Sequence, residues 1–261
     1  MLLLIGAFLV SLIPCLGMFF WLRNGLLKDS PDYEGHKKRC DTAIRYGMLS
    51  IVFVVLGSAT CHILGAVLGL RNLGLVWQAY YAFIVLAGVE EVAKFYMLQK
   101  TLGKYPDHAF SWLEIIIYMM CVAAGFEILE SIEYAIGTGP GPMFMRGFTI
   151  MHVMFGLFMG YFYGKSLKTG NKAYLVLAIV APWLYHGLFD FLVGSDLMNQ
   201  YDVLGFLALT MAVACGVAAI WSVFFFRKAR KNEKYLVPVL LPTVAAEPAD
   251  AGDTASEGKH F

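Results

Sequence analysis

Seven apolar runs, each about as long as a bilayer crossing, fill most of this chain and leave it few folds to adopt. A hydrocarbon core of about 30 Å needs about 20 helical residues, and runs of that kind lie near residues 2–22, 47–70, 76–98, 111–136, 148–166, 173–193 and 203–226. Lipid offers backbone N–H and C=O groups no partner, so only helices and closed barrels cross it, and continuous rather than alternating apolar runs select helices. With 59% hydrophobic and 15% charged residues, the chain is too apolar for a soluble domain of 261 residues. The fold class expected is therefore all-α: a polytopic transmembrane helical bundle of about seven spans.

Charge distribution orients the bundle. Alternate connecting segments, those after spans one, three, five and seven, hold sixteen Lys and Arg, and the other set holds two, Arg71 and Arg146. The positive-inside rule then puts the N-terminus outside and the C-terminus in the cytoplasm. No basic residue precedes Leu2 and no small-residue cleavage pattern follows the first run, so an uncleaved first helix is expected. Residues 1–234 read as one integral membrane domain, and residues 235–261, ending AAEPADAGDTASEGKHF, as a disordered cytoplasmic tail. Gly137 to Gly147 reads as a Gly/Pro turn. The five cysteines show no CxxC spacing, which gives no zinc-thiolate or disulfide framework. A net charge of +1 gives no case for nucleic acid as a partner.

Against this background eight ionisable residues stand out inside the spans: Glu90, Glu91, Lys94, Glu127, Glu130, His152, His186 and Asp190. At about 2.5–3.5 kcal/mol for a centrally placed charge, the six full charges among them would cost roughly 15–20 kcal/mol against lipid. They must face one another, water or an ion, and such a gathering marks a functional site. Glu90 and Lys94 are four apart on one helix face; Glu127 and Glu130 are one turn apart; His186 and Asp190 are four apart, which lets Asp190 fix the imidazole. His152 is followed by Gly156, Gly160 and Gly164, a small-residue stripe that turns its face toward a neighbouring helix. His62 reads as a packing residue, Glu114 as an interfacial one, and Glu133 as a residue of the outer mouth. Helical rise sets Glu90 about 15 Å from the height of Glu127 unless span three starts later, tilts, or borders a tall cavity.

The same residues carry a family resemblance. EEVAK (Glu90, Glu91, Lys94), FEILE (Phe126, Glu127, Glu130) and HGLFD (His186, Asp190) resemble the EExxK, FExxE and HxxxD motifs of the PrsW family of membrane proteases. Phe148 to His152 is similar to the FxxxH motif of the related CAAX prenyl endopeptidases and bacteriocin-processing membrane proteins. Lys94 stands one place before the position where those relatives carry Arg, which favours PrsW. The motif-bearing core is 76–193; the first two spans and the seventh carry no motif.

The resemblance implies a multi-pass protease of the bacterial plasma membrane. Its implied substrate is a single-pass membrane protein such as an anti-sigma factor, cut on its extracytoplasmic side as site-one regulated proteolysis. Glu90, Glu91, His152, His186 and Asp190 are the catalytic candidates, with a glutamate activating water; Lys94, Glu127 and Glu130 support them. Metal-free chemistry is favoured by likeness to the CAAX enzymes, and the alternative is a divalent metal such as zinc on Glu90, Glu91, His152, His186 and Asp190. Two other classes stay open: a proton- or cation-coupled transporter, and a catalytically idle scaffold of the same family.

Overall fold

A computed structural model describes residues 2–137, 150–239 and 241. Among these, every regular element is helical: α1 (Leu2–Asn24), α2 (Tyr33–Val67), α3 (Leu75–Tyr80), a π-helical segment (Tyr81–Gly88), α4 (Val89–Gly103), α5 (Trp112–Gly137), α6 (Met151–Thr169), α7 (Lys172–Gly194), α8 (Asp202–Ala229) and α9 (Glu233–Leu236). Short 3-10 turns lie at Leu70–Asn72 and Asp196–Asn199. Four helices, α2, α5, α7 and α8, are long and apolar enough to cross a membrane. The Gly/Pro turn expected after Gly137 falls almost wholly outside the described residues, as does Phe148.

α5 is the axis of the bundle. Between Glu114 and Glu127 it is apolar on all sides, and Ile115, Ile116, Ile117 and Tyr118 are fully buried, as a helical stretch apolar all round must be. α1, α2, α4 and α6 pack around it. The contact with α2 is made backbone to backbone at two glycines. A Cβ on Gly47 would lie 1.9 Å from the Val122 carbonyl oxygen, and one on Gly125 would lie 2.1 Å from that of Ile44. The stripe behind His152 works the same way on α5, where Gly160 meets the Cα of Ile116 and Gly164 the ring of Trp112. Outward faces carry large apolar side chains, among them Val55, Leu56, Ile63 and Val67 on α2 and Phe206, Val213, Val217 and Phe224 on α8. In water such a surface would be a liability; in lipid it is the expected one.

At the end of α5 where Trp112 begins, a buried polar network ties four segments. Glu114 Oε1 accepts from Tyr118 OH (2.9 Å) and Arg39 Nη2 (3.2 Å) and faces His108 Nε2 at 2.9 Å. Arg39 also donates to Tyr118 OH at 2.8 Å and to Asp32 at 2.7 Å. His36 Nε2, 3.0 Å from the Leu22 carbonyl, brings in α1. Glu114 is thus buried and paired within the protein instead of reaching out from it. The chain beyond α9 joins here too, with Val239 N donating to Phe110 O at 2.8 Å. Tyr235 and Val239 of the expected tail therefore pack on the body of the protein, while Leu236 and Val237 are exposed, and 242–261 lie outside the described residues.

Candidate active site

The eight ionisable residues singled out in the sequence come together on α4, α5, α6 and α7. Glu90, Glu91, Lys94, Glu127, Glu130, His152 and His186 are all buried, and Lys94 and Glu91 are 0% and 1% exposed. The first motif lies at the start of α4, directly after the π-helical segment. Its i→i+5 turns take in more residues per turn than an α-helix, and its carbonyls are used: Ser58 Oγ donates to Val85 O at 2.6 Å and Trp183 Nε1 donates to Phe83 O. The height difference expected from the sequence does not keep the first motif from the histidines, since Glu91 Oε1 lies 2.9 Å from His186 Nδ1 and Glu90 Oε2 lies 3.9 Å from His186 Nε2.

Glu91 is the hub. Its Oε1 accepts from Lys94 Nζ at 2.6 Å and lies 2.9 Å from His186 Nδ1. Glu90, expected to pair with Lys94, stands 3.9 Å from it, so the close ion pair spans three residues and not four. Lys94 Nζ also lies 2.9 Å from His152 Nδ1. An ammonium has donors only, so Nδ1 is the acceptor and the proton of a neutral imidazole sits on Nε2. That nitrogen is 2.6 Å from Glu130 Oε2, and the backbone N–H of His152 donates to Glu127 Oε2 at 3.3 Å. By the same logic His186 donates from Nδ1 to Glu91 and turns Nε2 toward Asp190 at 3.3 Å and Glu90 at 3.9 Å. Asp190 thus meets the imidazole that its i,i+4 spacing pointed to.

Aromatic rings set the shape of this site. Phe126 lies edge-on to His152 at 4.9 Å between centroids and under the Lys94 ammonium at 4.5 Å. Phe155 borders both imidazoles, which are themselves 5.0 Å apart. Phe126 belongs to a motif, whereas Phe155 carried no signal beyond falling one turn below His152. On one side the cluster opens into a cavity of about 370 Å³ lined by Glu127, Glu130, His152, His186 and Asp190 and by apolar residues of α6, α7 and α8.

Five carboxylates against one lysine leave the cluster short of positive charge, a deficit that protons or a cation must fill. Ligand atoms of Glu90, His152 and His186 all lie within 4.8 Å of one another. Oε2 of Glu90 and Oε2 of Glu91 are buried without a hydrogen-bond partner, which is costly for a carboxylate oxygen. Imidazole and carboxylate donors in this number suit a divalent ion with a position left for water. Glu90 Oε2 is open, His186 Nε2 faces Asp190 at 3.3 Å, and His152 has both nitrogens engaged and would exchange Lys94 or Glu130 to join them.

An all-helical membrane bundle with acids, imidazoles and one lysine buried beside a cavity belongs to the class of intramembrane enzymes and ion carriers. Comparison with known proteins decides between them. Residues 42–219 match the family described as PrsW family intramembrane metalloprotease. The chain is similar to the Protease PrsW of Clostridioides difficile, 30% identical over 204 residues that cover 74% of this chain and 80% of that protein. It is 28% identical to the Protease PrsW of Oceanobacillus iheyensis over 160 residues, 60% and 69% of the two chains. That of Bacillus subtilis is 33% identical over 119 residues, 43% and 54%. No solved structure matches. The chain belongs to the PrsW family, and it is a membrane protease.

Proposed function

We propose that this protease cuts a single-pass protein of the anti-sigma-factor type on its extracytoplasmic side, in the bacterial plasma membrane, through the buried Glu–His cluster. The observation that carries this is Glu91 Oε1 holding Lys94 and His186 together at 2.6 and 2.9 Å beside a cavity. Such a preorganised carboxylate–imidazole arrangement is what water activation needs.

Glu90, His152 and His186 would hold a divalent metal, with Glu91 orienting His186 through Nδ1–H as second partners of metal-bound imidazoles commonly do. Such an ion supplies Lewis acidity and lowers the pKa of a bound water. The donor set and the family's description weigh for a metal over the metal-free chemistry that likeness to the CAAX enzymes favours. Glu91, with Lys94 as countercharge and Oε2 open, takes the proton from the attacking water. The same proton passes to the leaving amine when the C–N bond breaks. Glu130 fixes His152 through Nε2–H, which leaves Nδ1 to exchange Lys94 for the ion; Asp190 stands beside the Nε2 that His186 would offer to it, and Glu127 anchors the first turn of α6 through the His152 amide. In this reading the chain crosses the membrane seven times with its N-terminus outside. The helical stretch 75–103 counts as one crossing, and the Lys/Arg alternation supports the count.

The test is co-expression with tagged single-pass anti-sigma factors in a host lacking its own site-one protease. Wild type should release a truncated fragment, and Glu91→Gln, Glu90→Ala and His186→Ala should release none at equal abundance. Cleavage that survives all three substitutions would exclude this cluster as the catalytic site.

A further inference from the structure

The cavity beside the histidines has two unlike walls. One carries Glu127, Glu130, His152, His186 and Asp190; the other is α8, which contributes Gly205, Ala208, Leu209 and Ala212. These four are spaced i, i+3, i+4 and i+7, so they form a single face of that helix. Ala208 and Ala212 are 4% and 8% exposed, while the opposite faces of α8 present Phe206, Val213 and Val217 outward. The span that bears no family motif therefore supplies the surface that faces the reactive groups. A Cβ built on Gly205 meets nothing nearer than the Met198 methyl at 3.8 Å, so the space in front of it is open.

Size limits what this space can take. The cavity holds about 370 Å³, room for a few residues of a substrate chain and not for a folded domain. A short extended segment fits, and its side chains on the α8 side meet the small residues Gly205, Ala208 and Ala212 with Leu209 and Met198 beside them. We propose that Gly205, Ala208 and Ala212 form the specificity-determining wall of the protease. Their small size admits apolar side chains up to about the size of leucine next to the scissile bond, and a side chain laid against this face finds no polar partner on it. The proposal rests on the cluster being the proteolytic site.

The test uses full-length protein co-expressed with a library of tagged single-pass reporters, randomised at consecutive positions of the extracytoplasmic juxtamembrane segment, with cleaved products sequenced. Wild type should enrich Ala, Val, Leu and Met at one position. Gly205→Leu and Ala208→Phe should each cut recovery of Leu and Met at least tenfold there while keeping Gly and Ala. Gly205→Val, a smaller addition into open space, should shift the same preference in part and covers the case in which Ala208→Phe does not accumulate. An unchanged residue profile with cleavage intact in the Gly205 variants overturns the wall assignment alone. A library in which no cleavage depends on Glu91 overturns the site itself, and the wall with it.

Discussion

Residue by residue, the site is built around one cation. Lys94 is fully buried and serves Glu91 and His152 together, so its removal leaves Glu91 without its countercharge, held by His186 alone, and His152 Nδ1 without its donor. Breaking a buried pair by deleting one partner costs about 3–5 kcal/mol. Lys94→Met should therefore lower the thermal unfolding temperature of the detergent-purified protein and abolish cleavage. Lys94→Arg should fail as well, since a planar guanidinium cannot place a point charge between Oε1 of Glu91 and Nδ1 of His152; retained activity in that variant would show that charge alone suffices. Metal content separates the two glutamates. Elemental analysis of purified protein should find a divalent metal in wild type and in Glu91→Gln, and much less in Glu90→Gln and His186→Ala. Equal metal in all four would remove Glu90 and His186 from the ligand set. All eight residues were legible in the sequence because buried charge is so costly in lipid. Asp190 as the neighbour of His186 was legible too; the partners of Lys94 and of the His152 nitrogens were not, since i,i+3 and i,i+4 neighbours are equally near on a helix surface and only the facing helices choose between them.

At the scale of elements, the π-helical segment decides where the first motif points. Eight residues, Tyr81–Gly88, adopt it immediately before α4, and their apolar sequence YAFIVLAG looks like any other part of a membrane helix. Hydrophobic periodicity reports which residues are apolar and is blind to whether carbonyls are met four or five residues on, so this coil could not be read ahead of the structure. Its consequence is testable. Deleting one residue within 82–87 lets the segment revert toward α-helix and rotates the upstream chain by about 100° relative to α4, against the anchors that Ser58 and Trp183 provide. Activity should be lost while the protein still accumulates; a fully active deletion would show that the wide coil is dispensable. The contact between α2 and α5 was likewise hidden, although the comparable stripe behind His152 was visible. Gly47 and Gly125 are isolated in sequence, and their Cβ positions fall inside the opposite backbone. Gly125→Val should abolish accumulation of folded protein, because a backbone wall cannot relax as a side chain can.

Across the whole molecule, two polar clusters sit toward opposite ends of α5, separated by an apolar stretch whose residues are entirely buried. Glu114 and Glu130 are sixteen residues apart, about 24 Å along the helix, and each anchors a network of its own: Arg39, Tyr118 and His108 at one end, and His152 with its partners at the other. The first network was missed in the sequence because its members are scattered over 32–118 and flank the spans, where a charge costs little and attracts no notice. It touches neither the cavity nor the catalytic candidates; it fastens α1, α2 and the loop before α5 to the axis. Glu114→Ala strips Arg39 of one of its two carboxylates and leaves Tyr118 and His108 without their shared acceptor. The expected loss is about 3–5 kcal/mol of stability with cleavage near wild type at low temperature, where the fold persists. Groups more than 7–10 Å apart with no shared partner act additively within about 0.5 kcal/mol. Thermal denaturation of Glu114→Ala, Lys94→Met and the double variant should accordingly show summed effects. A clear departure from additivity would mean that α5 transmits strain between the stabilising end and the catalytic end, and that the two clusters are one system.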